Sequence, residues 1–187
     1  YKRYLLLVCI LIYDKQYHEA DINLEKINPL EKQVRDAEDL LLAESLRLFI
    51  RAIQNDLSCA AGEKILKNLQ DHKNNHDCQF IWYYLALTFS IIGENKTSTS
   101  CLKESKKILS GKVAKITDKN HRKRFINKNI IHQQIMNQNE KTLIDLTDSL
   151  KIQIASVGVS NFCSECGYSN INLKSFCPEC GYDLRIN

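Results

Sequence analysis

Proline and glycine are scarce in this chain, two and six among 187 residues. A β-sandwich or barrel stitched together by tight turns uses more of both, so the scarcity disfavours those folds and suits long helices. Membrane-length apolar runs are missing as well. The run from Tyr4 to Tyr13 spans ten residues, about half of what a spanning helix requires. Lys2 and Arg3 precede it as they would in a signal peptide, yet "DKQYHEA" follows with no small-residue cleavage site. The run therefore reads as a buried helix. The chain also lacks a nucleophile elbow, a phosphate-cradling glycine loop and an H-E-x-x-H helix. Its acids are scattered, with no pair placed for acid–base work, and an enzyme is not the expectation. Excess charge of one sign is small: the formal sum is +4, which gives little reason to expect a nucleic-acid partner.

What is present is a core. Hydrophobic residues make up 44% and charged residues 26%, so the chain is not a disordered one. From residue 1 to 152 the apolar pattern is helical almost throughout, and an all-α fold is expected. It is clearest over residues 81–110, where Trp82, Leu85, Ala86 and Phe89 recur at helical intervals. Gly93 closes that helix, and a second carries Cys101, Leu102, Ser105, Ile108 and Leu109 inward. Tyr4, Leu7, Val8, Leu11, Ala20 and Leu24 repeat the same internal spacing. A third, less regular pair lies between them, "DAEDLLLAESLRLFIRAIQ" and "DLSCAAGEKILKNLQDH", with Asp56 as a cap for its second helix. Asp118 reads as the cap of a short helix bearing Phe125 and Ile126, and a longer helix is expected over about 130–151. Residues 153–160 lose the helical period and read as a linker into a module at 161–187.

Trp82, Leu85, Ala86, Phe89, Ser98, Leu102 and Ser110 follow the tetratricopeptide pattern W-x2-L-G-x2-Y, A-x3-F, P. Small residues are needed where the two helices cross, and large ones fill the gaps beside them. The departures are Ala86 for Gly, Phe89 for Tyr, Ser98 for Ala, Leu102 for Phe and Ser110 for Pro. Trp82 follows Tyr4 by 78 residues, so two repeats average 39, with insertions expected at "INPLEK" and "DHKNNHD". The resemblance implies an α-solenoid of helix hairpins, whose groove is lined mainly by the first helix of each pair. "YLLLVCILIY" is apolar nearly all round and wants cover on both sides, so further repeats or another domain are expected to precede it. Ile116, Asp118, Phe125 and Ile126 resemble a segment that closes the repeat arrays of bacterial signalling proteins, including some cyclases and ATPase regulators. That likeness implies a terminal cap, and a place in the regulatory C-terminal part of a larger signalling protein.

Half of the eight cysteines stand in "NFCSECGYSNINLKSFCPECGYDL". Cys163 and Cys166 form one C-x2-C pair, Cys177 and Cys180 another. Each pair is followed by a glycine, Gly167 or Gly181, able to take the positive φ that wraps backbone around an ion. Four thiolates suit a closed tetrahedral Zn²⁺ site with no open position for catalysis. A disulfide staple would suit a secreted domain, and a thioredoxin-like redox pair needs a βαβ context that is absent. The two C-x2-C-G units resemble a short bacterial zinc ribbon, which implies structural zinc and a small β-hairpin. With zinc bound by four thiolates the formal charge falls from +4 to +2. Cys9, Cys59, Cys78 and Cys101 are isolated within or beside helical patterns and read as buried free thiols. That usage points to a reducing compartment, the cytoplasm.

The remaining candidates have bland readings. His72 and His76, beside Asp71, Asp77 and Cys78, read as a polar loop rather than a metal site. Tyr168 and Tyr182 read as cover for the ribbon. "KNHRKR", Lys119 to Arg124, reads as a solvated helix face. The function expected is a protein–protein interaction scaffold, its partner a protein or another domain of the same chain and no membrane. The competing expectation is a nucleic-acid-binding protein that combines the ribbon with the 119–124 cluster.

Overall fold

The computed structural model describes residues 1–31, 36–54, 59–71 and 79–156. Among them are nine α-helices and no strand, in agreement with an all-α fold. In chain order they are α1 (Lys2–Tyr13), α2 (Tyr17–Glu31), α3 (Ala37–Ile53), α4 (Cys59–Asp71), α5 (Gln79–Ile91), α6 (Asn95–Ala114), α7 (Lys119–Asn127), α8 (Ile130–Asn137) and α9 (Glu140–Ser156). Tyr1–Asp148 forms one compact unit, and the last residues of α9 belong to a second. The expected Asp56 cap and the cysteine module fall outside the described residues.

The first six helices form three consecutive pairs. α1 packs on α2, α3 on α4 and α5 on α6, while α3 also contacts both α1 and α5. The first helices of the pairs therefore lie side by side in the order α1, α3, α5. Two of the connections are alike bond for bond. After α1, Lys15 N–H donates to Ile12 O and Gln16 N–H to Leu11 O. After α5, Gly93 N–H donates to Ser90 O and Glu94 N–H to Phe89 O. Both are Schellman closures, which require a left-handed residue just past the helix. Lys15 supplies it with φ 61° and Gly93 with φ 88°. These residues are 78 apart, the same interval that separates Tyr4 from Trp82.

Small residues sit where the paired helices cross. Ala86 and Ser98 are both buried, and Ser98 Oγ donates to Ala86 O at 2.7 Å. In the first pair Val8 and Ala20 are fully buried at the matching positions. A third close approach joins α4 to α5: a Cβ added to Gly62 would meet the Phe89 ring at 2.8 Å. Phe49 of α3 bridges the pairs, its ring 6.3 Å from Tyr17 of α2 and 5.7 Å from Tyr84 of α5.

The insertion expected at "INPLEK" does not interrupt the helix: Ile27 to Glu31 complete α2, and Ile27 is fully buried. Pro29 stands in the last turn with Glu25, whose carbonyl it deprives of a donor, on the exposed side where water can serve instead. The single helix expected over 130–151 is two. Gln138 is extended (ψ 139°) at the end of α8. Asn139 and Thr142 then exchange bonds: Thr142 N–H donates to Asn139 Oδ1 at 2.9 Å, and Asn139 N–H to Thr142 Oγ1 at 2.7 Å. This reciprocal cap starts α9 afresh, and α9 runs on to Ser156 into the stretch read as linker.

Candidate interaction surfaces

The cysteines expected to hold zinc, Cys163, Cys166, Cys177 and Cys180, lie outside the described residues, as do His72, His76, Asp77, Cys78, Tyr168 and Tyr182. Among the described residues no cluster of His, Cys, Asp or Glu is arranged to hold a metal ion. Cys9 and Cys101 are buried and free. Burial pushes the Cys9 thiol up to about 11 and the Cys101 thiol up to about 12. Both stay protonated at neutral pH, as the buried-thiol reading requires, and neither is poised as a nucleophile.

The groove expected along the first helices is closed at α5. Of its thirteen residues, only Phe80 and Trp82 are not buried. α3, α4 and α6 cover much of it, and the C-terminal helices take up three more of its polar groups. Tyr83 donates to Gln134 of α8 at 3.4 Å, and Ser90 shares a 2.8 Å bond with Thr147 of α9.

The third contact centres on His132 of α8. Its Nδ1 lies 3.0 Å from Phe125 O, so this nitrogen carries the proton. Nε2 must then accept, and Gln79 Nε2 donates to it at 2.8 Å. The other end of the Gln79 amide accepts from Lys112 Nζ at 3.0 Å, and Ser105 Oγ donates to Gln79 O. Phe80 stacks on the imidazole at 5.4 Å with a 12° tilt, and Phe125 packs at 4.7 Å. Desolvation lowers the pKa of His132, and the Lys112 charge adds to the effect, against the opposing pull of the Phe125 carbonyl. This is a satisfied structural histidine that fastens α7 and α8 to the α5–α6 pair. Sequence reasoning passed over it because its surroundings come from three other elements, α5, α6 and α7.

α1 is where the described surface is most apolar. Leu5, Val8, Cys9 and Ile12 face inward. Tyr4, Leu6, Leu7, Ile10 and Tyr13 face outward, 40–58% exposed. The helix was expected to be covered on both sides, and it is covered on one. Its outward residues include Tyr4 and Leu7, which match Trp82 and Leu85 of α5; there, Leu85 is fully buried. Lys2 at the rim reaches Asp36 at 3.1 Å and Asp39 at 3.6 Å, tying α1 to the start of α3. Arg47 of α3 ties α3 to α2 through Glu31 at 2.5 Å and through Asn28.

α7 carries the basic cluster. Asp118 caps it, as expected, by accepting from His121 N–H at 2.6 Å, and Arg122 donates back to Ile116 O. The side chains of Lys119 to Arg124 are exposed, and no residue of α7 is buried. No helix among the described residues is long and apolar enough to cross a membrane. No protein-family model, characterised protein or solved structure matches the chain.

Proposed function

We propose that the chain is a tetratricopeptide-like interaction scaffold that receives a helical protein element on the outer face of α1. The exposed stripe of Tyr4, Leu6, Leu7, Ile10 and Tyr13 is the observation that carries this reading. Contiguous apolar surface of this kind marks an interaction site, and its spacing along one helix fits a second helix laid against it. The repeat grammar supports the same occupant, since α5, the equivalent helix, packs on α3 of the pair before it. The element belongs to a protein partner or to another domain of the same chain. The setting is the regulatory part of a larger signalling protein, following the resemblance at Ile116, Asp118, Phe125 and Ile126. Structural zinc held by Cys163, Cys166, Cys177 and Cys180 folds the tail; thiolates at C-x2-C spacing are the donor set such an ion prefers.

The test is site-specific photocrosslinking in cells. A crosslinker at Leu6 or Ile10 is expected to give one defined adduct, and one at exposed Glu25 of α2 none. Equal labelling from all three positions, or no adduct from α1, defeats the reading.

A further inference from the structure

We propose that the exposed face of α7 is a binding surface for the phosphate backbone of a nucleic acid. The small net charge of the chain conceals a steep segregation. Residues 103–128 contain ten Lys and Arg against two acids, a local sum of +8, which leaves −4 for the remainder. The whole excess of positive charge thus sits on α6, α7 and their connection.

Geometry gathers part of it into a concavity. Asn120, Lys123, Arg124, Asn127 and Lys128 line a cavity of about 380 Å³. Their numbers step by three, one, three and one, which puts all five on one side of α7 and its C-cap. Each presents an N–H donor to an incoming anion, and none is an obligate acceptor. Among the described residues no acid pairs with Lys119, Lys123, Arg124 or Lys128. Asp118, the acid nearest in sequence, is engaged at the helix start, where it accepts from the His121 backbone N–H. Lys119 and Lys123 are four apart on the helix, as are Arg124 and Lys128, so the like charges repel within α7. A polyanion relieves that repulsion.

The composition of the face selects the class of partner. Protein interfaces are built around an apolar centre, often aromatic or Met-rich. The exposed large hydrophobic residues among those described lie on α1, α2 and α8, and none on α7. A face of Lys, Arg, Asn and His is the make-up of a phosphate-contacting surface, more polar and far more positive than a protein–protein one. Lys119 to Lys128 extends about 13 Å at the helical rise, room for several phosphates rather than one. This surface is independent of the α1 docking face, and each stands if the other fails.

The experiment is fluorescence anisotropy of the full chain with a labelled duplex, and separately a single strand, of about 20 nucleotides. Binding to at least one is expected, with a log–log salt slope of about −3 if the three cavity cations contact phosphates. Lys123→Ser with Arg124→Ser and Lys128→Ser is expected to weaken binding at least tenfold and flatten the slope. All three residues are exposed, Lys123 and Arg124 on a helix with no buried residue and Lys128 at its C-cap, and an unchanged circular dichroism spectrum confirms that the fold is kept. Three outcomes overturn the proposal: no binding by the wild type, undiminished binding by the triple variant, or displacement of the nucleic acid by polyglutamate at lower charge concentration than by unlabelled duplex. The last would assign the face to an acidic polypeptide instead.

Discussion

Ser98 Oγ donates to the Ala86 carbonyl at 2.7 Å across the crossing of α5 and α6, and both residues are buried. Neither position has room for a larger side chain. Ala86→Leu is expected to cost about 1–3 kcal/mol through overpacking. Ser98→Ala, which only deletes one bond to a carbonyl, is expected to cost about 1 kcal/mol. Urea unfolding followed by helical circular dichroism measures both. An unchanged midpoint for Ala86→Leu would show that the two helices do not cross there.

Lys15 and Gly93 make opposite predictions from one turn. A left-handed conformation costs an L-residue roughly 1 kcal/mol and glycine nothing comparable. Lys15→Gly is therefore expected to stabilise the chain by about 0.5–1 kcal/mol, less some loss from a more flexible unfolded state. Gly93→Ala is expected to destabilise it by about 1 kcal/mol. A Cβ at Gly93 meets nothing within 4 Å, so the penalty comes from the backbone alone. The same sign for both substitutions would contradict the shared closure.

His132 makes stability depend on pH. Its folded pKa is lowered, chiefly by desolvation, so the unfolded chain takes up the proton more readily. Stability from this group is fully present above the unfolded value, about 6.5, and is lost as pH falls from there toward the folded pKa. Geometry sharpens the point. Protonation puts an N–H on Nε2, facing the Gln79 amide nitrogen that now donates to it. Turning the amide over to accept would set its nitrogen against Lys112 Nζ, which donates to the oxygen there. Unfolding midpoints at pH 7.5 and 5.5 are expected to differ less in His132→Phe than in the wild type. An equal drop in both would assign the acid sensitivity to other groups.

The legible parts of the fold were those set by neighbours in sequence. Trp82 to Leu102 announced a helix pair because spacing alone places small residues at the crossing. Asp118 and Gly93 marked their helix ends through local backbone chemistry that depends on no distant residue. Asn139 and Thr142 also spell a helix start, but an apolar pattern continuing on either side hid it. Contacts across the array were not readable. The covering of α5 by α8 and α9 depends on partners 51 to 57 residues away, and periodicity carries no information about which face meets which. The charge concentration at 103–128 was visible in the letters but was averaged away in the net charge.

Zinc removal is expected to act on the tail and spare the helices. Metal analysis of the purified chain should give one zinc, lost when Cys163 and Cys177 are both replaced by Ser. Small metal modules fold with their ion, so a chelator should leave the helical spectrum nearly unchanged while opening the ribbon. The thiols provide the clearest count. Cys9 and Cys101 are buried and stay protonated, so they react slowly with a thiol reagent whether or not metal is present. Chelation should therefore raise the number of fast-reacting thiols by four, one for each of Cys163, Cys166, Cys177 and Cys180. A native protein free of zinc, with those four thiols intact and reactive from the outset, would remove the metal from the account.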